Sequence, residues 1–214
     1  KFILNLNEAA QCNDERRLLL IILNIPDYLN KNSYPNIVTT IFSRLANVFV
    51  DGSTLLKVYI SRSIVKCQNH VHMITSLGDI ISKFSQVFYS SDPIGRSAAL
   101  IIFTTLACNL RKAQIPSLSN ELENNEEKFK TNSLFYQILI SLQSKDNSEL
   151  ESAIIASHKF AKYSSQYSEF LLQKLPTIID NCFDDEILQK LILSYSYMFH
   201  SAIMADTALI QCKS

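Results

Sequence analysis

The stretch SDPIGRSAALIIF (Ser91–Phe103) decides how the whole chain is read. An Asp-Pro pair is the chemistry of a helix start: the carboxylate accepts orphan amide hydrogens, and proline has none to lose at the first helical position. An apolar run follows, with no Gly or Pro to stop it before about Arg111. The same residues have an enzymatic reading, with Asp92 and Arg96 as a carboxylate–guanidinium pair in a cleft. No His nearby acts as base to make a serine a nucleophile, so Asp92 reads as a cap and Arg96 as a side chain that packs or pairs beside the first turn.

Outward from that helix the pattern repeats. Pro35 opens an amphipathic helix whose apolar residues run from Ile37 to Phe49, and Asp51-Gly52 ends it, with Gly52 expected in a left-handed cap. Ser53 is a candidate N-cap for a helix whose apolar face runs from Leu55 through Cys67. Before these, Asp14 to Asn24 reads as a short helix stopped by Pro26. After them, Asn69 to His72 reads as a turn, and Met73 to Tyr89 as a helix weakened by Gly78. Helices resume over Leu134–Leu142, Ser148–Tyr163, Tyr167–Cys182 (interrupted at Pro176), Asp184–Phe199 and Ser201–Cys212. Between them, about 113–132, lies a polar, Asn- and Glu-rich stretch read as a long exposed loop. Its cluster ELENNEE (Glu121–Glu127) reads as part of a solvated loop rather than as a partner site.

Asp92 leads to Ala99 as Asp146 leads to Ala153, each a polar turn and then an Ala entering an apolar run. Without the polar loop their separation falls near the roughly 40–47-residue period of HEAT and armadillo repeats. Wide apolar faces on helices joined by short turns must be covered by neighbours on both sides. The expected fold is all-α, a single α-solenoid segment of stacked antiparallel helix pairs over residues 1–214. A start at Lys1 instead of Met reads as that expected of a piece of a longer protein.

Composition excludes several function classes. With 47% hydrophobic residues a core is affordable, and only 3 Gly and 5 Pro disfavour β-rich folds, which need more turn residues. Lys+Arg and Asp+Glu are 20 each, so no basic excess marks a nucleic-acid surface, and no direct nucleic-acid binding is expected. The apolar runs are too short to cross a bilayer. The three glycines form neither a dinucleotide nor a P-loop pattern. Five cysteines (12, 67, 108, 182 and 212), with no C-x-x-C, read as buried free thiols of a reducing compartment. Cys67, His70 and His72 form the one cluster of metal-ligand types, but zinc wants a fourth ligand, and Cys67 completes an apolar face instead. His158 and His200 read as packing histidines on helices. No catalytic, cofactor-binding or metal residue is assigned, no cofactor is expected, and the chain reads as not an enzyme.

Five blocks in order carry a resemblance: SYPNIVTTIFSRLANVF (Ser33–Phe49), LLKVYISRSI (Leu55–Ile64), VFYSSDPIGRSAAL (Val87–Leu100), SLQSKDNSELESAIIASHKFA (Ser141–Ala161) and KLILSYSYMFHSAIMA (Lys190–Ala205). Together, from about Asp14 to Ala208, they resemble the N-terminal region of the Integrator complex subunit 7 family. The resemblance implies a nuclear, non-catalytic scaffold that contacts other subunits and associates with RNA polymerase II in processing small nuclear RNA and terminating transcription. It brings no catalytic or metal residue to this region. The other reading of the same helices is an α-solenoid adaptor in vesicle coats or transport, since a fold does not fix a function.

Overall fold

The computed structural model describes residues 2–12, 14–90, 92–110 and 134–213, leaving out the side chains of 107–110. The stretch expected as an exposed loop at 113–132 lies outside the described residues. The described residues are helical with no strand, so the all-α reading holds. They divide into two compact units, Lys1–Asn109 and Leu110–Ser214.

The first unit contains α1 (Phe2–Gln11), α2 (Glu15–Leu23), α3 (Ile25–Lys31), α4 (Pro35–Asp51), α5 (Thr54–Lys66), α6 (Leu77–Ser85) and α7 (Pro93–Leu110). The second contains α8 (Leu134–Ser141), α9 (Asn147–Tyr163), α10 (Ser165–Asp180), α11 (Asp185–Leu193) and α12 (Ala202–Lys213). On α4, Val38, Ile41, Phe42, Leu45, Ala46 and Phe49 are buried at three-four spacing, as the sequence requires. On α7, Ala98 to Leu100, Ile102, Phe103 and Leu106 are buried, a wider face than one neighbour could cover.

Several local expectations are corrected. Pro26 does not merely end α2: it sits in the first turn of α3, where its missing N–H costs nothing. Residues Gln68–Met73 form a 3-10 helix, and α6 starts only at Leu77. Gly52 has φ −76° and ψ 160°, an extended and not a left-handed cap. Glycine is needed there for space: a Cβ would lie 2.5 Å from the Val48 carbonyl oxygen. Pro176 lies inside α10 without ending it, and α11 gives way after Leu193 to a 3-10 helix over Ser194–Tyr197. Of the four described cysteines only Cys67 is buried, while Cys12 and Cys212 are exposed and Cys182 is half-buried.

The caps reveal an order that the residue types conceal. Asp14, Ser53 and Asp92 head α2, α5 and α7 at two successive intervals of 39 residues. Asp146 and Asp184 head α9 and α11 at an interval of 38. Within the first unit the capped helices α2 and α5 pack side by side, and so do the intervening α1, α4 and α6 in succession. Within the second, α9 packs on α11 and α10 on α12.

Two glycines in helices are expected to answer alanine with opposite signs. At Gly78, on α6, a Cβ meets nothing within 4 Å, so Gly78→Ala gains up to about 0.5–1 kcal/mol of backbone entropy. At Gly95 a Cβ would stand 2.6 Å from Asp92 Oδ2 and 3.1 Å from Lys57 Cδ. Gly95→Ala therefore displaces the cap, and the loss of about 0.5–2 kcal/mol outweighs the entropy gain. Urea denaturation of the two variants checks the signs, and stabilisation by both would mean that the Asp92 carboxylate yields freely.

Candidate functional site

The Asp92 carboxylate is a junction, not half of an open catalytic pair. It accepts the amide hydrogens of Ile94 and Gly95 at the head of α7. It also accepts the Thr54 hydroxyl at 2.9 Å and faces Lys57 Nζ at 3.7 Å, both from α5. Burial alone would raise its pKa, but the amides, the hydroxyl and the ammonium outweigh burial and hold it below the ordinary carboxylate value. Arg96 turns the other way, donating from Nη1 to the Ser90 carbonyl at 2.6 Å. The cap role read from the sequence stands, and the fold adds an ion pair with Lys57, whose burial on α5 no local pattern announces.

Cys67, His70 and His72 come out as neighbours along the chain that do not converge. Burial pushes the Cys67 thiol up to about 12, against a smaller lowering by the Ser63 hydroxyl, which keeps it from being a ready thiolate ligand. His70 has both ring nitrogens engaged, Nδ1 with Ser33 Oγ at 2.8 Å and Nε2 with Asn30 Oδ1 at 3.1 Å. His72 is exposed. Among the described residues no group of three or more His, Cys, Asp or Glu is placed to hold a metal ion.

The remaining histidines satisfy helix ends. The last four carbonyls of a helix lack an intrahelical partner. His158 Nε2 donates to one of these in α11, the Lys190 carbonyl, at 3.0 Å, with Ser194 Oγ also at 3.0 Å. His200 Nε2 donates to one of those in α9, the Ala161 carbonyl, at 2.6 Å, and Ser168 Oγ reaches the same oxygen at 2.8 Å. His200 does so from the bend before α12, not from a helix as expected.

Burial lowers the His158 pKa, only partly opposed by the Lys190 carbonyl. A folded value below the unfolded one means that the unfolded chain binds more protons. Stability should therefore fall as pH drops from about 6.5 toward the folded value. Amide exchange of α9 and α11 at pH 7.5 and 5 measures this. His158→Gln should flatten the slope, and an unchanged slope would assign it to another group.

These polar contacts share one feature. Ser63 Oγ donates to the Ile22 carbonyl across 41 residues, Thr54 to Asp92 across 38, and Lys83 Nζ to Asn47 across 36. In the second unit Lys190 reaches Glu151 across 39, and His200 reaches Ala161 across 39. Each joins a helix or helix end to its counterpart one cap interval further on. A buried carboxylate that the sequence did not flag, Glu149, locks the α8–α9 turn: Ser141 and Ser144 hydroxyls donate to it, each at 2.8 Å. Its own amide donates to Asp146 Oδ1 at 3.0 Å. Asp-x-x-Glu at this start is a capping-box spacing, and the Ser pair turns the Glu side chain inward.

The chain is thus an all-α protein in which chemically versatile side chains tie helices together. Residues 13–114 match the family described as Integrator complex subunit 7, N-terminal. Over 188 residues the chain is 25% identical to Integrator complex subunit 7 of Homo sapiens, an alignment covering 87% of this chain and 18% of that protein. The Drosophila melanogaster protein of the same name is 25% identical over 193 residues, covering 89% and 17%. The Dictyostelium discoideum homologue is 22% identical over 205, covering 95% and 18%. The chain is therefore similar to the N-terminal region of Integrator complex subunit 7, as the five blocks imply, and spans less than a fifth of these relatives' length.

Proposed function

We propose that the chain is the N-terminal scaffold segment of an Integrator complex subunit, a non-catalytic part of a longer protein that works by protein–protein contact. On this reading each unit is a stretch of HEAT- or armadillo-like α-solenoid. Its partners are other subunits of the complex and RNA polymerase II, its place is the nucleus, and it supports small nuclear RNA 3′-end processing and transcription termination. The observation that carries the reading is the cap interval of 38–39 residues, matched by polar contacts across 36–41, in a chain similar to subunit 7 over most of its length. An interval near 40 residues with helix-on-helix stacking is the mark of a repeat array, whose long surfaces serve binding. The balance of 20 basic and 20 acidic residues favours protein over nucleic acid as the partner.

The test is affinity purification of the tagged full-length protein from nuclear extract of its own cells, read by mass spectrometry. Recovery of other Integrator subunits is the expected outcome. Recovery of coat or transport proteins in their place would overturn the assignment and favour the adaptor reading.

A further inference from the structure

The capped helices of the first unit share a register. The Ser53 hydroxyl, at the head of α5, donates to Glu15, the first residue of α2. One interval later Thr54, the first residue of α5, donates to Asp92 at the head of α7. At the other end of α5, Ser63 Oγ donates to the Ile22 carbonyl of α2 at 3.1 Å. The same link at the same place sets the heads of α2, α5 and α7 level, so residues at equal distances from the three caps form rows. Two residues past the caps stand Arg16, Leu55 and Ile94, and nine past them stand Leu23, Arg62 and Ile101. All six are exposed, the four apolar ones between 37% and 50%. Packed helix axes lie about 8–10 Å apart, and seven residues climb about 10 Å. The two rows therefore make a grid of outward apolar side chains, spaced about 10 Å in both directions, with one arginine in each row.

The charge of these helices has one sign. Neither α5 nor α7 contains an Asp or Glu, and α2 has only Glu15, in a chain with as many acids as bases. Three of their cations are engaged: Arg17 with Glu8, Lys57 with Asp92, and Arg96 with the Ser90 carbonyl. The other three, Arg16, Arg62 and Lys66, are exposed and make no ion pair among the described residues. Lys66, four residues past Arg62, lies on the same side of α5. In the second unit the same two distances from the caps hold Ser148 and Glu186, then Ile155 and Leu193, with no cation among them.

We propose that this face of the first unit docks an acidic amphipathic helix of a partner protein. Apolar side chains seven residues apart on such a helix are about 10 Å apart and so match the grid. Its Asp and Glu side chains meet Arg16, Arg62 and Lys66. Apolar contact supplies the affinity, and the basic side chains fix which partners approach. Bare Leu and Ile side chains offer nothing to a phosphate backbone, so the face suits an acidic protein segment better than a nucleic acid. The proposal rests on three level, side-by-side helices and not on the complex in which the chain works, so it can fail while the scaffold reading stands.

The probe is a fluorescein-labelled helical peptide of about 18 residues, five turns, built of Leu, Glu and Ala with Leu along one side and Glu beside it. It is titrated against the chain by fluorescence anisotropy. Controls replace every Glu by Lys or every Leu by Gln. Saturable binding is expected, at least ten-fold tighter than either control and weaker at high salt. Arg62→Glu and Leu55→Gln, both at exposed positions, should each weaken binding at least five-fold. Arg44→Glu, the same charge change at an exposed position of α4, leaves it unchanged. If Leu55→Gln fails to fold, Arg62→Glu and Arg16→Glu decide. No saturation at millimolar peptide, equal binding by either control peptide, or indifference to Arg62→Glu would each overturn the proposal. So would binding of a uridine oligonucleotide or of anionic vesicles in place of the peptide, or sedimentation showing the face closed by a second copy of the chain that the peptide does not displace.

Discussion

Asp92→Ala is expected to destabilise the first unit by about 2–4 kcal/mol, well beyond the loss of a cap. The cap alone accounts for about 0.5–2 kcal/mol. The rest comes from Lys57, only 8% exposed on α5, whose ammonium would lose the carboxylate facing it. An unpaired buried charge costs more than the pair was worth. Lys57→Met should be milder, because Asp92 keeps Thr54 and the two amides. In the Lys57→Met background, Asp92→Ala should cost about 1 kcal/mol, the cap value. Urea denaturation of the four proteins gives the coupling, and strict additivity would show that Lys57 finds water once Asp92 is gone. The acid limb offers a second check. A carboxylate whose folded pKa lies below its unfolded one contributes stability above about pH 4 that is lost as pH falls through the folded value. Asp92→Asn should remove that part of the acid loss.

The Asp92 junction also marks how far sequence reasoning reaches. Asp-Pro followed by an apolar run announces a helix start, and Ser53 announces another, so the capped helices and the all-α class were legible. The 39-residue interval was not, for a physical reason: a cap needs only a short side-chain acceptor, so Asp, Ser and Asp serve equally and no residue identity repeats. The interval from Asp92 to Asp146 is longer, which hides it further. Lys57 reads as a surface cation on its own helix, and only the neighbour one interval away gives it a buried partner. Where a local rule has two outcomes, the residue alone does not choose: Pro26 follows the end of α2 and also opens α3, and Gly52 serves through its missing Cβ instead of its φ.

The second large effect is expected at Tyr167, fully buried where α10 begins. Its ring lies 5.0 Å from Phe135 and 5.7 Å from Phe160, and those two rings are 6.1 Å apart, a three-way cluster joining α8, α9 and α10. Its hydroxyl meets Ser157 Oγ at 2.6 Å, with both groups out of water. Tyr167→Ala empties the centre of that cluster and should cost about 3–5 kcal/mol. Tyr167→Phe keeps the ring but strands the Ser157 hydroxyl, a loss of about 1–3 kcal/mol. Adding Ser157→Ala should return most of that loss, because no polar group is then left without a partner. Alkaline pH separates the hydroxyl from the ring. Burial raises the Tyr167 pKa above its ordinary value, against a smaller lowering by Ser157. Its contribution is therefore complete below about pH 10 and lost as pH rises toward the folded value, and Tyr167→Phe should lack this loss.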